Sequence, residues 1–208
     1  EWNILSSEEG NYPSPTAKST GISSISPLIN TRWNQNPYYN KYTPLSYEGG
    51  ETYTGCVSTT MAQIMKFWNY PATGNGTKTY TIPNTNYNWK GKTLTANFGN
   101  TTYNWADMPD ILTSSSHPTQ IDAIATLMLH TGIAVSMEYG PLGSSGSGAP
   151  NEYVADALKN YFKYSPDAEI KYRSSYNDTD WLNLIKDQIS KGYPVYFSGF
   201  KQTGSGHA

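Results

Sequence analysis

Cysteine is almost missing from this chain of 208 residues: Cys56 is the single one, so no disulfide can close within it. Charge is scarce too, with Asp, Glu, Lys and Arg at 14% of residues against roughly 25% in an average domain. The 14 basic and 16 acidic side chains nearly cancel, leaving a formal net charge of −2. That balance excludes the basic surface a phosphate backbone requires, so nucleic acid is not an expected partner. No apolar run exceeds a few residues, which excludes a bilayer-spanning segment. The polar stretch after Glu1-Trp2-Asn3 does not read as a cleavable signal. What fills the chain instead is 18 Tyr, 6 Trp and 18 Gly, with many Ser, Thr and Asn. Disordered chains are poor in aromatics and rich in charge, so this composition means an aromatic-rich, exported globular protein. Its length suits one large domain or two small lobes sharing a core.

Residues 1–27, with Pro13, Pro15, Gly21 and Pro27 and little apolar periodicity, read as a linker or an extended arm. A domain is expected over 28–208. Within it, Val57, Met61, Ile64, Met65 and Trp68 recur at helical spacing from Cys56, and Pro71 with Gly74 stops that helix. Lys78–Ile82 and Thr93–Phe98 are β-like. A second helix is expected over Thr119–His130, with His130 at its end favouring the dipole. Gly140 to Gly148 reads as a flexible loop. A third helix starts from about Asn151 as N-cap, and a fourth spans about Asp178 to Gly192 with Trp181, Leu184, Ile185 and Ile189 inward. Tyr193–Ser198 is the clearest strand. Helices first and strands later indicate α+β.

A lone thiol in an exported protein is either buried or used. Cys56 follows Gly55 and opens the first helix, where unpaired N–H groups and the positive dipole end favour negative charge. Glycine before it allows a tight turn and close approach of a substrate. A cysteine nucleophile needs a base, normally histidine, and only His117, His130 and His207 exist. His117 reads as an exposed loop residue. His207 lies 151 residues after Cys56, close to the roughly 130–150 that separate the pair in papain-type peptidases, although the papain signature around the cysteine is absent. One cysteine and three dispersed histidines make no zinc site, and no cofactor is expected.

Longer words in the sequence carry a resemblance. Trp33-Asn34-Gln35-Asn36-Pro37-Tyr38-Tyr39-Asn40 and the block Gly55-Cys56-Val57-Ser58-Thr59-Thr60-Met61-Ala62-Gln63 through Pro71 are two of them. Tyr103-Asn104-Trp105, Glu138-Tyr139-Gly140-Pro141, Pro194-Val195-Tyr196 and Gly206-His207-Ala208 follow in order. Together, over residues 28–208, they resemble the streptopain family of secreted bacterial cysteine peptidases. The resemblance implies a papain-like two-lobe α+β fold, a helical lobe holding the cysteine helix and an antiparallel β lobe. It implies Cys56 as nucleophile, His207 as general base and Gln35 as an oxyanion-hole donor. It places the Tyr139–Gly148 loop beside the cleft, making Tyr139, Gly140, Ser144 and Ser147, with Gly206, expected substrate-binding residues. It also implies synthesis as a zymogen whose own propeptide is a partner, with residues 1–27 a prosegment remnant, and an extracellular or cell-surface location. Members continue past the histidine with more β-structure and an Asn-Trp pair, whereas Asn88-Trp89 and Asn104-Trp105 precede His207. The β lobe is therefore expected to be incomplete, with the domain cut just after the histidine.

The expected activity is broad endopeptidase cleavage of proteins and peptides, and the resemblance adds an apolar residue two positions before the cut. Charge should matter little, since neither 139–148 nor 204–206 carries any charged residue. A papain-like cell-wall amidase or acyltransferase, and a tyrosine-rich surface binding module without catalysis, are the alternatives.

Overall fold

The stripe that begins at Val57 becomes helix α1 (Cys56–Trp68), with Val57, Met61, Ala62, Ile64 and Met65 buried and Trp68 half-buried. Asn69, left-handed at φ 48°, ends it one residue before Tyr70-Pro71. The computed structural model in which this is seen describes residues 24–200 and 206–208. The expected arm at 1–27 therefore lies, except for 24–27, outside the described residues.

Helix α2 (Pro118–Ala134) packs across α1. At the crossing the Ser58 hydroxyl donates to the Met128 carbonyl at 2.7 Å and pairs with Thr131 Oγ1 at 2.8 Å. These ties satisfy hydroxyls that would otherwise be buried alone. The helix runs a full turn past His130, where an end was expected, because its last turn is buried and packing carries it on. Gly132 sits within that turn for a spatial reason: a Cβ there would come 2.3 Å from the Tyr139 hydroxyl.

Between the two helices the chain makes an antiparallel hairpin, β1 (Thr77–Thr81) and β2 (Thr93–Asn97), as the β-like stretches indicated. Thr79 faces Thr95 across it, their hydroxyls 2.8 Å apart. Helix α3 (Tyr153–Phe162) buries Val154, Ala157, Leu158 and Phe162, and α4 (Asp178–Ser190) is capped by Asn177, whose side chain accepts the Asp180 N–H. Of the four apolar residues expected inward on α4 only Trp181 is fully buried; Leu184, Ile185 and Ile189 are half-buried, and Gln188 is buried in their company.

Tyr193–Ser198 is not a ladder strand. Its residues alternate between buried and half-buried, so one face does pack inward, but pairing begins only at β3 (Gly199–Phe200). A strand requires a partner, and among the described residues β3 meets only β4 (Gly206–His207), antiparallel. Among the described residues, four α-helices and two small sheets make the fold α+β. The core gathers around α1, with Tyr139, Tyr196, Phe98, Phe162, Met61 and Met65 among its fully buried side chains.

Candidate active site

The backbone turns into α1 at Gly55, with φ 89° and ψ 143°. A side chain there would be strained by the positive φ and would also meet Met137 Cε at 2.7 Å and Ser147 Cβ at 3.2 Å. Glycine is thus needed both for the turn and for the space. No side chain caps the helix and its first turn holds no acidic residue, so the positive end of the dipole is left open at Cys56. The Cys56 side chain is half-buried and free of any disulfide. The next turn is braced from below: Thr59 Oγ1 donates to the Gly55 carbonyl at 2.9 Å and lies 3.0 Å from Thr54 Oγ1.

Gln35 is brought to the same place by two bonds. Its side-chain oxygen accepts the Gly55 N–H at 3.2 Å, and its carbonyl accepts the Thr54 N–H at 3.3 Å. With the amide oxygen engaged, the NH2 end of Gln35 is left as a donor, and no group among the described residues takes it. Gln35 itself is only partly buried. The Gln35 side-chain amide is thereby fixed one residue from Cys56, beside the uncapped helix start.

The 139–148 segment differs from the flexible loop expected from its glycines. Tyr53 N–H donates to the Gly140 carbonyl at 3.0 Å, Leu142 N–H to Glu51 at 2.9 Å, and Glu138 and Gly148 exchange backbone bonds at 2.9 and 3.0 Å. Ser147 Oγ donates to the Tyr53 carbonyl at 2.6 Å and accepts the Gly140 N–H at 2.8 Å. The Tyr87 hydroxyl gathers Ser144 Oγ, Ser145 Oγ and the Gly146 carbonyl within 3.1 Å. Gly140 leaves no room for a Cβ, which would sit 2.2 Å from the Gly146 carbonyl oxygen. The segment is thereby strapped onto residues 51–54, which lead directly into Cys56.

Those straps correct the reading of individual residues. Tyr139 was expected against substrate, but its side chain is fully buried under α2, its hydroxyl has no hydrogen-bond partner, and its carbonyl accepts the Trp89 indole N–H. Ser147 is buried with its hydroxyl spent on the straps, so it positions the loop. Ser144 is half-buried and tied to Tyr87 and Gly146. Gly206 is exposed in β4, where a Cβ would strike the Phe200 ring at 2.4 Å. Gly204 and Ser205 lie outside the described residues.

The three histidines separate by environment. His117 is exposed, as expected, and also caps α2: its ring accepts the Thr119 N–H and Gln120 reaches back to its own N–H. His130 does not serve as an exposed helix-end cation. It is buried, 2.9 Å from the Tyr103 hydroxyl and edge-on to Phe98, and burial lowers its pKa to about 4. His207 is exposed in β4, opposite Gly199. Tyr196, read from the sequence only as part of a resembling word and a strand, has a more definite place. Tyr196, three residues before Gly199, is fully buried, with its hydroxyl donating to Asn151 Oδ1 at 2.5 Å. Its pKa is pushed far up, first by burial and then by the charge of the nearby Cys56. Tyr196 belongs to the core cluster against which Cys56 packs. Asn151, expected as an N-cap, uses its side chain for Tyr196 instead, and α3 begins after Glu152 without a side-chain cap.

Comparison with known proteins gives the family. The model of the peptidase C10 family matches residues 33–208. Streptopain of Streptococcus pyogenes is 38% identical over 186 residues, 85% of this chain and 46% of that protein. The thiol protease/hemagglutinin PrtT of Porphyromonas gingivalis is 30% identical over 196 residues, 89% of this chain and 21% of that protein. The chain thus spans about half the length, or less, of these relatives. The structure of active wild-type interpain A cysteine protease from Prevotella intermedia superposes with a TM-score of 0.79 at 35% identity, over 94% of this chain and 77% of that one. A prointerpain A fragment from the same organism gives 0.77 at 34% identity, over 97% and 60%. By sequence and by fold, the chain belongs to the peptidase C10 family.

Proposed function

We propose that residues 28–208 act as a cysteine endopeptidase domain with Cys56 as nucleophile and His207 as its general base. The observation that carries the reading is the thiol on an uncapped helix start with the Gln35 amide fastened one residue away. His207 takes the thiol proton as the sulfur attacks the peptide carbonyl carbon. The oxyanion is met by the Gln35 NH2 and the Cys56 N–H. His207 then gives the proton to the leaving amine as the C–N bond breaks, leaving a thioester. Water, losing its proton to His207, attacks that thioester and releases the acid and the thiol. Support for His207 comes from its pairing with Gly199, three residues after the buried Tyr196, and from the other two histidines being engaged in capping and in the core. The substrates on this reading are proteins and peptides, bound largely through main-chain groups with an apolar residue two positions before the cut. Export to the cell surface or beyond, and synthesis as a zymogen held by its own propeptide, belong to the same reading. Peptide-library cleavage tests it. Turnover should vanish in Cys56→Ala and fall about 10²-fold in kcat in Gln35→Ala, the usual cost of an oxyanion donor. Unchanged turnover in Gln35→Ala would remove that residue from the mechanism.

A further inference from the structure

The connection between β1 and β2, which the catalytic reading leaves unused, grips the 138–148 segment at its root and at its tip. At the root the Glu138 carboxylate, 6% exposed, accepts the Asn86 N–H at 2.7 Å, the Tyr87 N–H at 3.1 Å and the Asn86 side-chain amide at 2.8 Å. Three N–H donors thus satisfy a carboxylate that burial would otherwise penalise. Two residues on, the Trp89 indole donates to the Tyr139 carbonyl at 3.1 Å, and Asn84 Oδ1 accepts the Trp89 N–H at 2.6 Å. Docked in this way, the connection sends the Tyr87 side chain to the tip. Its hydroxyl stands 3.0 Å from Ser144 Oγ, 2.9 Å from Ser145 Oγ and 3.1 Å from the Gly146 carbonyl oxygen.

The straps from 51–54 end on Gly140, Leu142, Gly143 and Ser147, and leave the tip alone. Among the described residues, every hydrogen bond that leaves 144–146 for a residue outside 139–148 ends on the Tyr87 hydroxyl. Gly143 at φ 85° and Gly146 at φ 103° bound this tip, a backbone open to many other conformations once untied. Ser147, the next residue, lies 3.2 Å from where a Cβ on Gly55 would stand, so the segment that Tyr87 ties abuts the residue before Cys56. A segment ordered beforehand loses little conformational freedom when a peptide binds against it, and binding is the tighter for it.

We propose that Tyr87, fixed by Glu138, is a positioning residue: it holds the 144–146 tip ready for substrate, so that affinity for peptide, and not the reactivity of Cys56, depends on its hydroxyl. The proposal rests on the peptidase reading and adds to it a residue that lies in none of the resembling words.

The test is Tyr87→Phe, which keeps the ring and removes the hydroxyl. Hydrogen exchange at the 144–146 amides should quicken, with exchange at 51–54 unchanged. Fluorescein-labelled casein, an unfolded protein, should bind the Cys56→Ala chain about fivefold more weakly when Tyr87→Phe is added, the equilibrium worth of one net hydrogen bond. In the active chain KM should rise in step while kcat is kept. The rate at which iodoacetamide, too small to need the tip, alkylates Cys56 should not move. Glu138→Gln should act in the same direction, and the two changes together should weaken binding by less than their separate effects combined, because both hold one tip. Unchanged exchange at 144–146 overturns the proposal without reference to any substrate. Equal casein affinity with and without the hydroxyl overturns it too, as does a weakened affinity accompanied by an altered alkylation rate, since Tyr87 would then support Cys56 itself. Absence of casein cleavage by the unaltered chain, with the exchange and affinity shifts intact, would instead count against the peptidase reading alone.

Discussion

Between pH 7 and pH 4 the protein should lose about 3 kcal/mol of stability through His130 alone. The ring is 8% exposed, packed against Phe98, and its Nδ1 stands 2.9 Å from the Tyr103 hydroxyl. Burial lowers its pKa from 6.5 to about 4 in the folded chain. An unfolded chain takes up the proton near pH 6.5, while the folded one resists until about pH 4, so acid favours unfolding across that window. Stability from this group is complete above pH 6.5, declines as pH falls and levels off below 4. The gap of 6.5 against about 4 converts to about 3 kcal/mol. The assay is urea unfolding followed by tryptophan fluorescence at a series of pH values. Because carboxylates also titrate as the pH drops, the comparison is with Tyr103→Phe/His130→Leu, which removes the titration and leaves no orphaned hydroxyl. The variant should lack about 3 kcal/mol of the unaltered chain's decline between pH 7 and 4. Parallel curves for the two proteins would refute the reasoning.

Two further substitutions probe the frame around Cys56. Gly55→Ala should cost about 1–3 kcal/mol through positive-φ strain and overpacking against Met137 and Ser147, read as a lower Tm, and should reduce peptide turnover beyond what the melt explains. Wild-type Tm would mean that the neighbours yield freely. Tyr139→Phe removes a buried hydroxyl that has no partner, so denaturant stability should hold or rise by about 1 kcal/mol, with turnover kept. A loss of that size would reveal a bond that the hydroxyl makes after all.

Much of the fold was legible because its strongest elements follow local rules. The α1 stripe, the Thr-rich hairpin and the extents of α3 and α4 obey periodicity and turn chemistry that act within a few residues. The errors arise where distant contacts decide. The second helix was expected to end at His130, but its last turn packs in the core, with Gly132 clearing the Tyr139 hydroxyl, so α2 extends and His130 goes under cover. Tyr193–Ser198 has strand composition without a ladder, since composition cannot supply a partner. The glycines of 140–148 suggested mobility, whereas Gly140 marks a close backbone approach and Ser147 a strap. In the site, Cys56 and Gln35 could be picked out because the words around them resemble a family and the structure brings them together. Tyr139 fell in a similar word yet belongs to the core. Tyr196 stands in one of the resembling words, yet only packing reveals its bond to Asn151, which local rules read as an N-cap.

Labelling of Cys56 by an epoxide inhibitor of papain-like peptidases, followed by intact-mass and peptide mapping, tests the central claim most directly. One adduct per chain on Cys56 is expected, forming at least about 10²-fold more slowly in His207→Ala, with His117→Ala indistinguishable from the unaltered chain. Equal labelling rates for His207→Ala and the unaltered chain, or an unlabelled Cys56 in a folded protein, would contradict the account.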